Sequence, residues 1–88
     1  MSIATVVHTA VSSHVSARTA ELAAELGATP AWITPASRFD ALGLDSLGLA
    51  ELIQVLEDDF EVRLFALAHG RLETVRDAID LVVSQLSA

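Results

Sequence analysis

Apolar residues recur at helical spacing in three stretches of the chain, and this periodicity predicts three main α-helices. The first stretch runs from about Ser2 to Leu26, where large apolar residues recur mostly every four positions, with a gap at Thr19. This stripe comprises Ile3, Val7, Val11, Val15, Leu22 and Leu26. Ser2 or Thr5 can cap the start of the helix, and Gly27 can end it. Because its first half contains weak helix formers, we expect this helix to be frayed or to begin late.

The second stretch predicts a helix from about Ser46 to Asp59, with Asp45 as its N-cap. One face carries apolar residues at positions i, i+3, i+4, i+7 and i+11, namely Leu49, Leu52, Ile53, Leu56 and Phe60. The last helix is expected to begin after Thr74, which forms a capping-box pattern with Asp77. Its equally regular stripe comprises Val75, Ala78, Ile79, Val82 and Leu86.

The segments between these helices differ in character. Residues 28–44 contain both prolines and several capping residues, which predicts an ordered loop held by buried side chains. We expect its anchors to be Trp32, Ile33, Phe39 and Leu42. Val62 and Leu64 alternate as a short extended stretch would, and residues 65–69 can form about one helical turn, ended by Gly70.

The fold class that follows is all-α. Since no segment has a convincing strand pattern, we expect a small bundle of three main helices plus one short helix. A long ordered loop should lie between the first and second helices. The length of 88 residues suffices for one small domain, which we place at residues 1–88.

Composition narrows the environment of the protein. Hydrophobic residues make up 52% of the chain, so a core can form without cross-links. There is no cysteine, which excludes disulfides and thiolate metal sites and fits a reducing cytoplasm, the compartment that we expect. The apolar residues near the N-terminus are too few and too often interrupted by polar ones for a membrane span. No basic segment precedes them, so they do not form a secretory signal.

The net charge of the chain limits which classes of macromolecule it can bind. Twelve acidic residues against five arginines, with no lysine, give a net charge of −7. Nucleic-acid binding needs a basic surface and is therefore excluded, whereas partners with basic surfaces are favoured. His8, His14 and His69 do not form a metal site, because no acidic or cysteine ligand accompanies them at a recognisable spacing, and we expect surface histidines.

One short motif carries candidate chemistry. Residues 43–47 read Gly-Leu-Asp-Ser-Leu, which places the Ser46 hydroxyl at the start of the second helix, directly after a loop. With Leu42 before it, the pattern Leu-Gly-x-Asp-Ser-Leu followed by a helix resembles the attachment site of acyl and peptidyl carrier proteins. The resemblance covers nearly the whole chain in four ordered blocks. These are Leu26-Gly27 with Pro30, Ile33 and Pro35; Phe39 to Leu47; Glu51-Leu52 with Leu56-Glu57 to Phe60; and Leu72 to Val75.

The resemblance implies that the protein is a carrier and not an enzyme. It implies that Ser46 carries 4′-phosphopantetheine, whose thiol holds acyl, aminoacyl or peptidyl intermediates as thioesters, and that the chain has no catalytic residues. A phosphopantetheinyl transferase using CoA and Mg²⁺ would load Ser46, and Asp45 would both cap the helix and contact that transferase. The further partners implied are acyltransferase, ketosynthase or adenylation-type loading enzymes. We expect a monomer that binds neither nucleic acid nor membranes.

The same resemblance makes the second helix the main docking surface for partners. The expected docking residues surround Ser46 on the exposed side of this helix: Leu47, Ala50, Glu51, Gln54, Glu57 and Asp58. An apolar side chain beside the modification site, such as Leu47, is the stronger indication. A simply solvated face is the alternative for the charged positions.

Two departures from the family pattern concern the pathway. Gly48 follows the Asp-Ser-Leu motif where fatty-acid-synthesis carriers usually have an acid, and residues 65–69 are apolar where those carriers are acidic. Both favour polyketide, nonribosomal-peptide or related specialised biosynthesis. The chain reads as a discrete carrier, and a domain taken from a larger synthase is the other explanation.

Two other functions compete with the carrier. A serine hydrolase would need glycine where Leu44 stands, both for Gly-Asp-Ser-Leu and for Gly-x-Ser-x-Gly, and the chain is too short for a hydrolase sheet. A helical adaptor with the same fold and no prosthetic group remains the alternative to a carrier.

Overall fold

Three α-helices form the bundle in this computed structural model, which describes residues 2–27, 33–65 and 72–87. They are α1 (Ile3–Glu25), α2 (Ser46–Phe60) and α3 (Val75–Leu86). The architecture confirms the predicted all-α bundle and the long loop between the first two helices. The short helix expected at residues 65–69 lies, beyond Phe65, outside the described residues, as does the expected loop anchor Trp32.

Helix α1 begins at Ile3 and continues without interruption for 23 residues. Ser2 is its N-cap, and the Ser2 hydroxyl accepts a hydrogen bond from the Thr5 amide at 3.2 Å. The expectation of a late start is therefore wrong, because the cap supplies an acceptor that the first turn otherwise lacks. At the other end Gly27 has a φ of +90°, a backbone conformation that glycine adopts without steric cost.

The buried face of α1 is shorter than its apolar stripe. Its buried residues are Val11, Val15, Thr19, Leu22 and Ala23. Ile3 and Leu26, which the stripe predicts to be in the core, are 83% and 50% exposed. Both predictions are wrong: Ile3 lies in the first turn of the 23-residue α1, and Leu26, which follows its last residue, is only partly covered, where it contacts the first turn of α2.

Thr19 closes the gap in the apolar stripe of α1. It is fully buried, and its hydroxyl donates to the Val15 carbonyl at 2.7 Å. The hydrogen bond satisfies the hydroxyl within its own helix, so that the methyl group can pack in the core without leaving a polar atom unpaired.

Helices α2 and α3 bury the faces that their periodicity predicts. In α2 the buried large side chains are Leu52, Ile53 and Leu56, and in α3 Val75, Ile79 and Val82 are buried together with Ala78. Leu49 and Phe60, at the two ends of the α2 stripe, are partly buried, and Leu86, at the end of α3, is exposed. None of the helices in the described part of the chain is long and apolar enough to cross a membrane.

The predicted capping box at the start of α3 is present. The Asp77 amide donates to the Thr74 hydroxyl at 3.3 Å, while Asp77 Oδ2 accepts from the amides of Thr74 and Glu73 at 3.0 and 2.9 Å. These amides, with that of Glu73 contributing most, lower the pKa of Asp77. The expected cap is confirmed, and it extends one residue further upstream than the pattern predicts.

The loop before α2 is fastened to the start of α3, and we call this contact the loop–α3 junction. The Phe39 amide donates to the Glu73 carbonyl at 2.9 Å, and the Val75 amide donates to the Ser37 carbonyl at 3.0 Å. These bonds flank an isolated bridge between Arg38 and Thr74. The loop thereby supplies an acceptor for an amide at the first turn of α3, where none exists within the helix.

The loop is also anchored by its apolar side chains, as expected. Phe39 is 2% exposed, Leu42 is buried, and Ile33 is partly buried against the core. Leu44, which was not among the expected anchors, is buried as well. The chain is therefore held on both sides of Gly43.

The carboxyl-terminal end of α2 is joined to the middle of α1 by a charged contact, the Asp59 cluster, formed by His14, Arg18 and Asp59. Arg18 Nε and Nη2 donate to the two Asp59 carboxylate oxygens at 2.7 and 3.1 Å, and His14 Nε2 lies 2.6 Å from Asp59 Oδ2. The His14 ring also packs edge-on against Phe60, with a centroid distance of 5.0 Å. His14 is thus part of the interhelical contact, where a surface histidine was expected.

The Asp59 cluster should contribute to stability in a pH-dependent way. Hydrogen bonds from Arg18 and then from His14 hold the pKa of Asp59 below its usual value. Because the pKa of Asp59 is lower in the folded than in the unfolded state, its contribution to the free energy of unfolding is fully present above the unfolded-state pKa of about 4. The contribution is lost as the pH falls through the folded-state pKa. We expect Asp59→Asn to lower the free energy of unfolding at pH 7 by about 1 kcal/mol and to flatten its decline below pH 4.

Urea unfolding followed by circular dichroism between pH 2 and pH 7 tests this expectation. Asp58→Asn changes the neighbouring exposed acid, which lies outside the cluster, and its pH profile should follow that of the wild type. Parallel profiles for Asp59→Asn and the wild type would contradict the assigned role of Asp59.

Candidate functional site

Ser46 is the first residue of α2, and the chain just before it is held by buried side chains. Leu42 and Leu44 are both buried, while Gly43 between them has a φ of +84°. A left-handed conformation of this kind is costly for residues with a β-carbon, which explains glycine at the tightest point of the turn. The Leu44 amide donates to the Phe39 carbonyl at 3.0 Å. The turn therefore delivers Ser46 to the surface in a fixed orientation.

Asp45 is the N-cap of α2, as expected. Its Oδ1 accepts from the Gly48 amide at 2.9 Å, and its carbonyl accepts from the Leu49 amide at 2.8 Å. A cap of this type stabilises a helix by about 1 kcal/mol. The cap leaves the amides of Ser46 and Leu47, in the first turn, without an intrahelical acceptor.

The Ser46 side chain is exposed at this helix end. The free first-turn amides and the positive end of the helix dipole favour a negatively charged group beside the hydroxyl. Among the described residues, no histidine, lysine or carboxylate is hydrogen-bonded to Ser46 Oγ, and no group of three or more His, Asp or Glu residues could hold a metal ion. The exposed hydroxyl and the free amides beside it suit the attachment of a negatively charged group.

A cleft of about 250 Å³ opens beside Ser46. It lies between the start of α2, the loop, and the segment that precedes α3. Apolar side chains form its floor and charged ones its rim; the lining residues are Arg38, Phe39, Asp40, Leu44, Asp45, Ser46, Leu49, Leu72 and Glu73. An extended chain attached to Ser46 would have this cleft within reach.

The charges on the rim of the cleft are paired with one another. Arg38 Nε donates to Asp40 Oδ1 at 3.2 Å, and Arg38 Nη1 lies 3.7 Å from Glu73 Oε2. The Arg38 guanidinium lowers the pKa of Asp40 through this hydrogen bond, and the same contact raises the pKa of Arg38. Two carboxylates therefore share one guanidinium on this side of Ser46.

The residues predicted to dock partners lie along one side of α2 but differ in exposure. Leu47 is 72% exposed, and Glu51, Gln54 and Asp58 are exposed as well. Ala50 and Glu57 are partly buried. The structure thus places four of the six residues where a partner can reach them directly.

Glu57 has a contact within the chain that the sequence pattern did not indicate. Its Oε2 accepts from the amides of Leu64 and Phe65 at 2.7 and 3.1 Å. The chain can turn back toward Glu57 because Glu61, at the end of α2, adopts a left-handed conformation with a φ of 54°. Glu57 therefore holds the segment after α2 in place, whatever its part in docking.

This role predicts that Glu57→Ala lowers stability. Removing the carboxylate leaves two amides without their acceptor, and a hydrogen bond to a charged group contributes about 1.5–3 kcal/mol. We expect a loss of about 2 kcal/mol in the free energy of unfolding measured with urea. Asp58→Ala, an exposed position on the same helix turn, should change it by less than about 0.5 kcal/mol. Equal values for the two variants would show that Glu57 is only a surface acid.

Comparison with known proteins identifies the family. Residues 19–82 match the family described as "Phosphopantetheine attachment site". This region contains all of α2, the described part of the loop before it and most of α3. The chain belongs to this family. Its members have 4′-phosphopantetheine covalently attached to a serine, which makes the chain a carrier protein.

The carrier protein also matches a solved structure. A crystal structure of an acyl carrier protein from Thermotoga maritima superposes with a TM-score of 0.72 at 27% sequence identity. The match covers 88% of this chain and 92% of that chain, so the two proteins share nearly their whole extent. Carrier proteins of this kind interact with phosphopantetheinyl transferases and acyl-handling enzymes. The hydrolase alternative is set aside, since family and fold are those of carrier proteins.

The start of α2 in the carrier protein fits the prosthetic group of the family. An exposed hydroxyl is available for the phosphodiester, and the free amides of the first turn can donate to phosphate oxygens. The neighbouring cleft offers apolar surface to whatever the arm carries.

Proposed function

We propose that Ser46 is the serine that carries 4′-phosphopantetheine, and that the protein delivers thioester-bound acyl, aminoacyl or peptidyl groups to partner enzymes. The supporting observation is that Ser37 and Ser46 are the two serines within the family match of residues 19–82. Ser37 is partly buried, and its Oγ accepts a hydrogen bond from the Thr34 amide at 2.9 Å. Ser46 is exposed at the start of a helix, where a transferase can reach it.

In this proposal the protein is a substrate and a carrier, and it catalyses nothing. A phosphopantetheinyl transferase moves the phosphopantetheinyl group from CoA to Ser46: the Oγ–P bond forms, the pyrophosphate bond of CoA breaks, and adenosine 3′,5′-bisphosphate leaves. In this proposal a base of the transferase accepts the serine proton. The contribution of this chain is to present Oγ rigidly, through the Asp45 cap and the buried Leu44.

The bound group supplies a thiol at the end of a long arm, and the need to keep that thiol reduced favours a reducing compartment. We propose that residues 1–88 work as one monomeric carrier domain in the cytoplasm, where a free thiol stays reduced. Its further partners are acyltransferase, ketosynthase or adenylation-type loading enzymes. The pathway we propose is polyketide, nonribosomal-peptide or related biosynthesis. This is supported by Gly48, which stands where fatty-acid-synthesis carriers usually have an acid and is packed so closely against Leu26 that any side chain there would have to shift it.

Intact-mass measurement before and after incubation with CoA, Mg²⁺ and a broad-specificity phosphopantetheinyl transferase tests the attachment. The expected result is the gain of one phosphopantetheinyl group, located on Ser46 by fragmentation of the modified peptide. Because the chain has no cysteine, maleimide should label the protein only after loading. A folded sample that none of several transferases modifies would overturn the proposal and leave the helical adaptor.

A further inference from the structure

The carboxyl-terminal end of α1 borders the turn that carries Ser46. A β-carbon on Gly48 would stand 3.2 Å from Leu26 Cδ1, closer than side chains normally pack. Leu26 therefore lies directly against the first turn of α2, two positions after Ser46. Any side chain at position 48 would have to displace it, so glycine at this position allows α1 to come this close.

Two leucines at the first turn of α2, the turn that carries the proposed attachment point, remain exposed. Leu26 is 50% exposed and Leu47 is 72% exposed, although both are large apolar side chains. Exposed apolar side chains that adjoin a functional group mark a contact surface more often than isolated ones do. The periodicity of α1 would have placed Leu26 in the core, yet it is half exposed where it packs against the first turn of α2.

Carboxylates without a cationic partner adjoin these leucines. Glu25 on α1 and Glu51 on α2 line the groove between the two helices, and neither forms an ion pair within the described residues. The guanidinium in the same groove, Arg18, is bound by Asp59 and Glu21. This edge, defined by Leu26, Leu47, Glu25 and Glu51, therefore combines apolar area with uncompensated negative charge. We call it the α1–α2 edge.

The cleft on the other side of Ser46 has a different character. Its rim acids, Asp40 and Glu73, already share the Arg38 guanidinium. A basic partner would gain less there, because it would have to compete with an existing ion pair. The α1–α2 edge is the side of Ser46 on which both apolar contact and charge complementarity are still available.

We infer that the phosphopantetheinyl transferase docks on the α1–α2 edge and that Leu26 and Glu25, from α1, are part of its binding surface. The inference rests on the attachment of the prosthetic group to Ser46. The transferase has to bring the CoA phosphorus to bonding distance of Ser46 Oγ, so it must cover the immediate neighbours of Ser46. Enzymes that act on the thiol reach it along the arm and can dock further away. The expected transferase surface is an apolar patch flanked by lysine or arginine.

Leu26→Gln tests the apolar part of this surface through the kinetics of loading from CoA and Mg²⁺ by the transferase. We expect KM for the carrier to rise about fivefold with little change in kcat, because docking is weakened and the chemistry at Ser46 is not. The matched control is Leu86→Gln, an exposed leucine at the end of α3 away from the cleft, which should keep the wild-type KM. Circular dichroism establishes that each variant is folded.

Glu25→Gln tests the charged part without touching the packing of Leu26. Its KM should rise about twofold at low salt and return toward the wild-type value at high salt, whereas Glu61→Gln should have no such effect. A wild-type KM for both Leu26→Gln and Glu25→Gln would overturn the inference while leaving attachment to Ser46 intact. If Leu26→Gln does not fold, Glu25→Gln decides alone. A wild-type protein that is not loaded at all would instead refute the proposed function.

Discussion

Ser46→Ala is expected to abolish incorporation of phosphopantetheine while changing the free energy of unfolding by less than about 0.5 kcal/mol. A methyl group cannot form the phosphodiester, so the loss should be complete in intact-mass and maleimide assays. Stability should be kept because the side chain is exposed and alanine is a good helix former. The Asp45 cap, which accepts from the Gly48 amide, does not involve the serine side chain.

Ser37→Ala is the matched control for Ser46→Ala, since Ser37 is the other serine within the family match. It should be loaded at the wild-type rate. Ser37→Ala should instead lower the free energy of unfolding by about 1 kcal/mol, because the Thr34 amide loses its acceptor. Loading that survives in Ser46→Ala, or disappears in a folded Ser37→Ala, would move the attachment point away from Ser46.

Phe39→Ala should have the largest effect on stability of any substitution by alanine in the described part of the loop, residues 33–44. Phe39 is 2% exposed and is among the largest fully buried side chains of the described residues. Removing a buried phenylalanine costs about 3–5 kcal/mol, out of a usual total of roughly 5–15 kcal/mol for a domain. Urea or thermal unfolding should show a strongly shifted midpoint, and a large fraction of the variant should be unfolded at 37 °C.

The matched control is Phe65→Ala, because the Phe65 side chain is exposed and its truncation should cost clearly less. Phe39 also supports the attachment site: its carbonyl accepts from the Leu44 amide just before the Asp45 cap. Transferase loading of Phe39→Ala should therefore fall together with the folded fraction. A Phe39→Ala protein as stable as Phe65→Ala would mean that the loop is not held by this side chain.

The sequence predicts α2 and α3 closely because local signals and tertiary packing agree there. Asp45 and Thr74 are capping residues in front of regular apolar stripes, and both act as caps in the structure. Phe39 and Leu42 are large apolar residues in a Pro-containing loop, and both are buried. The position of Ser46 can be predicted from the same local signals, since a serine directly after an N-cap lies on the first turn of the helix and is exposed.

The prediction fails at α1, where periodicity and packing disagree. An apolar stripe shows which face of a helix is buried but not how far the neighbouring helices extend along it. Ile3 and Leu26 are therefore exposed despite their register. At Thr19 the prediction fails in the opposite direction. This polar residue interrupts the apolar stripe, yet it is buried, because its hydroxyl donates to the Val15 carbonyl.

The remaining differences come from contacts between residues distant in sequence. Asp59 and Glu57 look alike as surface acids on α2, yet one binds Arg18 of α1 and the other binds the amides of Leu64 and Phe65. Which acids stay available to partners depends on these contacts, which no spacing rule predicts. The contact between Leu26 and Gly48 likewise requires knowing that α1 ends against the start of α2.

The loop–α3 junction has a consequence for the dynamics of the carrier. Because Arg38 and Thr74 are paired, the chain between them, which includes all of α2, is closed at its base by hydrogen bonds. Helix α2 cannot swing away without breaking that base, so local opening of the attachment site should require the larger, cooperative opening of the α3 start as well. In hydrogen exchange, the amides of Phe39 and Val75 should be protected together with the core of α2. The arm would then be the moving part, turning about a serine that stays still.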